Sequence, residues 1–298
     1  MIEKLKDWKV QLAVLLVLIA LYVLTKHPLV GVITVIFIVV AFIVELKENA
    51  KEKGWKEELK DMVVLFIIIF LGLKLLGVVL NTEAPLSAIP TCSMEPTYHR
   101  GDVIVAAGWP VETMYHNGTF GEIEIYYNGT LLDVSIPMWS YCKSNPFSIE
   151  CREFRSCPSC FEERYGDLSV YYDFCYRGEE KEICSVAYSV KGEKYPFNYS
   201  TDTIIYKPLP DSLFGPYGLV VHRALFALCN STECLYFTKG DNNNVFDFQY
   251  YFHNLGNPPV KEEQIVGKVI FRIPYLGYPR IFLSGYVQED PYCKVTLK

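Results

Sequence analysis

Ser93 stands in Ile89-Pro90-Thr91-Cys92-Ser93-Met94-Glu95-Pro96-Thr97, with Gly101-Asp102 just behind it. Far downstream come Val220-Val221-His222-Arg223 and Thr238-Lys239-Gly240-Asp241-Asn242-Asn243, with a second acid at Asp247. A hydroxyl, an imidazole and a carboxylate are the minimum set for acyl transfer. Serine is a weak nucleophile until a base removes its proton, and imidazole does this near neutral pH without a large environmental shift. A buried carboxylate on the far ring nitrogen would fix the tautomer and stabilise the imidazolium.

Five histidines compete for the role of base. His27 lies between two apolar runs, His99 and His116 near turn signals, and His253 after an aromatic cluster. His222 alone sits in a strand-like run, Leu219 to Leu228, that would hold it rigidly. Taken singly, His222 is an ordinary core or surface histidine and Gly240-Asp241-Asn242-Asn243 an ordinary turn. The same oxygen-dense stretch is also a rival calcium loop, although it lacks the alternation and terminal glutamate of an EF-hand.

The elements that must position these residues begin with a membrane anchor. Apolar runs from about Trp8 to Leu24, from Leu29 to Val44 and from Met62 to Leu80 each approach the ~20 residues of a spanning helix. The first is too long for a signal-peptide core and a second follows at once, so it reads as a retained anchor. Thr25-Lys26-His27-Pro28 is short enough to make the first pair a hairpin, with His27 marking the turn. Lys47, Lys51, Lys53, Lys56 and Lys60 between the second and third runs, against Lys26 alone in the opposite loop, put the N-terminus in the cytoplasm. Everything after Leu80 is then extracytoplasmic. Lys74, in the outer half of the third run, reads as a snorkelling side chain rather than a catalytic amine. Residues 1–80 hold 10 basic and 8 acidic side chains, leaving 18 and 26 beyond them, so the outer part carries a net charge of −8. That balance excludes nucleic acid as an expected partner.

Cysteine usage agrees with an oxidising side of the membrane. None of the 10 cysteines precedes residue 81, and Cys142, Cys151, Cys157, Cys160, Cys175 and Cys184 crowd one stretch. A disulfide framework is the expected reading, with connectivity open; Cys157-Pro158-Ser159-Cys160 also has metal-ligand or thiol-exchange spacing. Cys229 and Cys234 read as closing a small loop, which leaves over Cys92 and Cys293. Sequons at Asn117, Asn128, Asn198 and Asn230 point the same way, and Asn117-Gly118 and Asn128-Gly129 also predict type I′ hairpin turns.

The expected organisation is an anchor over 1–80, a β-rich core over 81–106 and 201–298, and a cysteine-rich, strand-rich, glycosylated insert over 107–200. Core strands are predicted at Asp102 to Ala106, Thr203 to Tyr206, Gly218 to Leu228, Leu235 to Thr238 and Ile265 to Ile273, where valine and isoleucine alternate with short Gly, Asn and Pro breaks.

In this order, Ser93-Met94-Glu95-Pro96-Thr97 with Gly101-Asp102, Val221-His222-Arg223, Lys239-Gly240-Asp241-Asn242-Asn243 with Asp247, and Gly267-Lys268-Val269 leading to Ile273-Pro274-Tyr275-Leu276-Gly277 resemble the boxes of type I signal peptidase. Histidine stands where the bacterial enzymes carry lysine, so the likeness is to the archaeal and endoplasmic-reticulum branch. The resemblance covers about 81–106 and 204–285. It implies Ser93 as nucleophile, His222 as general base and then acid, Asp247 as the residue that orients His222, and Asp241 as a second important acid. It further implies an oxyanion hole from the Ser93 N–H and the Thr91 hydroxyl, with Met94 and Pro96 shaping the turn. The expected fold is three transmembrane helices carrying a mainly β, extracytoplasmic, signal-peptidase-like domain. No cofactor or metal is expected, and the partners are secretory preprotein signal peptides, the bilayer and the translocation machinery. The long insert and the three spans depart from the compact eukaryotic forms.

Chain length supports membrane-bound substrates, because 13 residues from Leu80 to Ser93 reach at most roughly 45 Å. A signal peptide would present its scissile bond there as an added strand, with shallow pockets selecting small side chains. The aromatic segment Phe271 to Phe282 reads equally as a core strand or as a stretch dipping into the lipid interface. Two rival functions remain in view. A disulfide-rich receptor or adhesin explains the anchor and insert but not the ordered boxes, and an esterase-type hydrolase would call for the missing G-x-S-x-G elbow.

Overall fold

The computed structural model describes residues 8–25, 28–252, 255–284, 293 and 295–297. The expected hairpin connection with His27, and also His253, lie outside the described residues. Contacts divide the chain into two compact units, Met1–Leu75 and Leu76–Lys298.

Helices α1 (Trp8–Thr25), α2 (Pro28–Lys53) and α3 (Trp55–Val79) follow the apolar runs of the sequence. Gly54, in the left-handed region at φ +86°, ends α2, and its N–H returns to the Ala50 carbonyl at 3.0 Å. Among the described residues α3 alone is long and apolar enough to cross a membrane, and Lys9–Leu21 is a shorter apolar stretch. Leu65, Phe66, Ile67, Ile68, Ile69 and Phe70 are all exposed, so α3 is apolar around its whole circumference from Met62 to Leu73, after a charged first two turns. A helix with no polar face needs an apolar surrounding on every side.

The second unit opens with β1 (Leu86–Ala88), β2 (Val103–Ala107), β3 (Met114–Asn117), β4 (Ile123–Tyr127) and β5 (Thr130–Leu132), then short helices α4 (Met138–Ser144) and α5 (Ile149–Ser156). The ribbons β6 (Phe161–Tyr165), β7 (Leu168–Arg177), β8 (Glu180–Val190) and β9 (Glu193–Pro196) follow. The chain then makes β10 (Thr203–Tyr206), β11 (Val220–Cys229), β12 (Cys234–Lys239), β13 (Tyr251–Phe252), β14 (Leu255–Gly256), β15 (Val260–Lys261), β16 (Ile265–Ile273) and α6 (Tyr278–Leu283).

Two sheets matter. One runs β1-β2-β16-β10-β11-β12-β15, with β3 added in parallel to the far half of β11, and β1 forms its edge. The other runs β5-β4-β6-β7-β8-β9 and is built entirely from the central cysteine-rich segment. β11 is buried on both faces from His222 to Leu228, which is why, apart from His222 and Arg223, its sequence reads as a continuous apolar run rather than an alternating one. The sheets share a core in which Tyr188 of β8 stacks on Phe226 of β11 at 3.9 Å, and Phe226 stacks on Phe237 of β12 at 4.6 Å. The central segment is therefore packed into the same unit as the strands around it.

Asn128-Gly129 forms the expected turn, with φ of +47° and +81° and Tyr127 paired to Thr130. The hairpin expected at Asn117-Gly118 does not form. Gly118 donates its N–H to the Cys229 carbonyl, and β3 lies parallel to β11 instead, so this local turn signal yields to sheet pairing. All ten cysteines pair, as 92–293, 142–151, 157–160, 175–184 and 229–234. Cys157 and Cys160 are thus joined to each other and offer no thiolate to a metal, while the two left over in the sequence, Cys92 and Cys293, close on one another. The four sequon asparagines are exposed.

Candidate active site

Ser93 is held in a compact turn between β1 and β2. Met94 buries its side chain at 1 % exposure, and turn bonds run from Glu95 N to Cys92 O at 3.1 Å and from Tyr98 N to Met94 O at 2.9 Å. Asp102, buried at 1 %, accepts the His99 N–H at 2.9 Å and the Tyr275 N–H at 3.1 Å, pinning the exit of the turn to the segment after β16. Gly101 precedes it at φ +92°, and a Cβ there would lie 2.2 Å from the Tyr278 ring, so glycine is required.

His222 lies near the start of β11, directly opposite Ile204 of β10, and is almost fully buried. Its Nε2 is 3.1 Å from Ser93 Oγ, and its Nδ1 is 2.7 Å from Asp247 Oδ2. With Nδ1–H donating to the carboxylate, Nε2 is left as an acceptor for the serine proton. Asp247 opens the short helical turn Asp247–Gln249 after β12, and its Oδ2 also accepts from Thr238 Oγ1 at 2.6 Å and from Tyr206 OH at 3.0 Å. Burial, reinforced by the Asp247 charge, pushes the Tyr206 phenol well above its ordinary range, so it stays a donor. Asp247 Oδ1 is buried without a partner among the described residues.

Asp241 does something different. It receives two bonds from the Arg223 guanidinium, at 2.8 and 2.7 Å, and one from Thr97 Oγ1, and it makes no contact with His222. Burial works against the Arg223 cation, yet the hydrogen bonds and charge of Asp241 hold its pKa above the ordinary value. The pair ties β11 to the turn that carries Ser93. Thr91 Oγ1 lies 3.3 Å from Ser93 Oγ on an exposed threonine, on the open side of the nucleophile.

The nucleophile's turn also rests on the Gly240-Asp241-Asn242-Asn243 loop. Asn242 donates its N–H to the Ser93 carbonyl at 2.8 Å and its Nδ2 to the Cys92 carbonyl at 3.2 Å. A Cβ at Gly240 would lie 2.6 Å from the Ser93 carbonyl oxygen, so the close approach of loop and turn demands glycine here. Lys239 beside it is buried at 2 % exposure, donates to the Gly240 carbonyl at 3.4 Å, and is lowered by that burial to about 8.

The four principal residues singled out in the sequence, Ser93, His222, Asp247 and Asp241, thus come within one neighbourhood, three in a relay and one as a strut. The other two described histidines stay apart. His99 is exposed near Arg272, and His116 meets Tyr188 OH at 3.0 Å and is lowered by burial. Tyr206, Thr238 and Arg177 carry no advance signal in the sequence, because a strand tyrosine, a strand threonine and a turn-flanking arginine are unremarkable until their neighbours are known. Among the described residues no group of three His, Cys, Asp or Glu could hold a metal; in the oxygen-rich loop Asp241 accepts from Arg223, and Asn242 bonds to Arg177 and the Cys92 carbonyl. An open cavity of about 1290 Å³ lies over Ser93 and His222, with β1 contributing Ser87 and Ala88 and the central segment contributing Trp139 and Phe174.

No family model matches the chain. It is 35 % identical over 78 residues to the signal peptidase complex catalytic subunit SEC11 of Metarhizium robertsii, an alignment covering 26 % of this chain and 42 % of that protein. It is 26 % identical over 170 residues to the corresponding subunit of Sclerotinia sclerotiorum, covering 56 % and 81 % of the two chains. It is 24 % identical over 213 residues to that of Schizophyllum commune, covering 72 % of each. With serine, histidine and aspartate in line, the chain has homologues, at modest identity over much of its length, in signal peptidase complex catalytic subunits, which form the endoplasmic-reticulum, Ser-His-Asp branch of the type I signal peptidases.

Proposed function

We propose that this chain is a membrane-anchored serine endopeptidase that removes N-terminal signal peptides from secretory preproteins at the outer membrane surface. The observation that carries the reading is the relay from Ser93 Oγ through His222, at 3.1 Å to Nε2, to Asp247, at 2.7 Å from Nδ1. In the proposed cycle His222 takes the Ser93 proton as Oγ attacks the scissile carbonyl. The Ser93 N–H and the Thr91 hydroxyl receive the developing oxyanion. The imidazolium, stabilised by Asp247, protonates the departing amine, and a water activated by the same histidine releases the signal peptide from its ester. Asp241 acts structurally, through Arg223.

The substrate enters as an extended strand along the free edge of β1, whose next-door cavity accepts the small side chains before the cleavage point. All three N-terminal helices are proposed as spans, with the N-terminus cytoplasmic and residues after Leu80 extracytoplasmic. The chain is accordingly divided into an anchor at 1–80, a catalytic part at 81–106 with 201–298, and an insert at 107–200. Phe271, Leu276 and Tyr278 are exposed and suit contact with the lipid interface. Glycans are proposed on the four exposed sequons, and companion subunits or translocation machinery are proposed as partners by likeness to the relatives. A receptor or adhesin would have no use for the serine–imidazole–carboxylate alignment. The test is processing of a purified preprotein by the full chain in liposomes. Wild type should cut after the apolar segment, and Ser93→Ala and His222→Ala should each stop cleavage while leaving the fold unchanged.

A further inference from the structure

The central sheet β4–β9 is an addition that no part of the relay obviously needs, yet it supplies a side chain that holds the nucleophile's support in place. Arg177 ends β7 and is 7 % exposed. Its Nη1 donates to Asn242 Oδ1 at 2.8 Å and to the Val295 carbonyl at 3.1 Å, and its Nη2 donates to the Asn242 carbonyl at 2.9 Å and to Asn244 Oδ1 at 3.3 Å. Nε pairs with Glu182 at 3.3 Å. The planar fork therefore spans the side-chain and main-chain oxygens of one asparagine, a geometry a lysine lacks.

Asn242 is the residue whose N–H and Nδ2 grip the Ser93 and Cys92 carbonyls. Its amide has one productive orientation, with the oxygen toward Arg177 and the Leu297 N–H and the nitrogen toward Cys92. Taking away the guanidinium removes one of the two donors to Asn242 Oδ1 and the donor to the Asn242 carbonyl, and so loosens both the amide orientation and the buried main chain. The loop is gripped again farther along. Ser185 N donates to the Asn244 carbonyl at 3.0 Å, and Gln249, two residues past Asp247, is fully buried between Ser185 Oγ, Glu163 and Tyr172. The stretch carrying both acids is thus held by the central sheet on either side of Asp247.

We propose that the cysteine-rich insert serves catalysis from within, and that Arg177 is a positioning residue that sets Ser93 against His222 through Asn242. This rests on the peptidase reading above. Arg177 also borders the cavity, so the measurement must separate positioning from substrate contact. A misplacement of about 1 Å costs on the order of 10²-fold in rate.

The experiment uses the full chain in liposomes with Arg177→Ala, Arg177→Lys, Asn242→Ala and the Arg177→Ala/Asn242→Ala double variant. Preprotein cleavage gives kcat and KM, and phosphonylation of Ser93 by a small fluorophosphonate reports nucleophile geometry without a bound substrate. Both Arg177 variants should lose about 10- to 100-fold in kcat and in Ser93 labelling, with KM little changed. The double variant should be no worse than about the poorer single one, since both act through one link. Arg177→Lys, which keeps the charge, supplies the answer if Arg177→Ala does not fold. A raised KM with normal labelling, fully additive losses, or kcat within about twofold of wild type for a folded variant would overturn the proposal. Wild-type protein that neither cleaves nor is labelled at Ser93 would instead defeat the peptidase reading itself.

Discussion

Asp247 and Asp241 are six positions apart in sequence yet do separate jobs, and the difference lies in what each oxygen touches. Asp247 faces the imidazole, so Asp247→Asn should leave the fold intact and cut kcat by roughly 10⁴-fold, because the amide favours the wrong histidine tautomer. Asp241→Asn should act on stability first, since it strips the buried Arg223 of its counter-charge, with an expected loss of about 3–5 kcal/mol in denaturant unfolding. Thr91→Val should lower kcat by roughly 10²-fold at unchanged stability if its hydroxyl meets the oxyanion. Lys239 gives a pH signature. Its folded value of about 8 lies below the ordinary 10.5, so between those values the unfolded chain holds a proton the native one has released, and stability rises with pH across that window. Below pH 8 the buried ammonium opposes folding in full, and Lys239→Met should remove the slope and gain on the order of 3 kcal/mol at pH 7, read from chemical denaturation at several pH values. Ser93, His222 and Asp247 were singled out in the sequence through the order of their boxes and the family likeness, since each box alone reads as an ordinary turn or strand. Tyr206, Thr238 and Arg177 were not, because side-chain hydrogen bonds to residues 41, 9 and 65 positions away leave no periodic or motif trace in the sequence.

At the scale of elements, the strands that carry the site were readable from their apolar, β-branched runs. Thr203–Tyr206 and Ile265–Ile273 stand at the bounds their apolar runs suggest, and β11 differs by two residues at its start and one at its end. Pairing was less readable. Asn117-Gly118 has the residues of a tight turn, but β3 gains a ladder along β11 that a local hairpin would forfeit. Cysteine partners were also hidden, since sequence spacing says nothing about which ends meet in space. The 92–293 bridge spans 201 residues and joins the nucleophile's neighbour to the C-terminal segment, where Leu297 N meets Asn242 Oδ1 at 2.8 Å. Replacing both cysteines by serine should cost up to about 5 kcal/mol in the chain-entropy limit and lower kcat without a matching rise in KM. Calorimetry and cleavage kinetics on the same preparation check both outcomes.

For the whole molecule, net charge −8, five disulfides and exposed sequons after residue 80 fit the proposed placement of that part on an oxidising side of a membrane. Protease added outside sealed vesicles should leave a protected fragment that includes the Lys47 to Lys60 loop and remove everything after about Leu80 unless the tight β unit resists. The most direct test of the central claim is rapid-quench mass spectrometry of the full chain turning over a signal-peptide substrate in liposomes. The relay predicts a transient acyl ester on the peptide containing Ser93, present in wild type and lost in Ser93→Ala and His222→Ala. Brisk cleavage with no adduct at Ser93, and undiminished by either substitution in a folded protein, would contradict it.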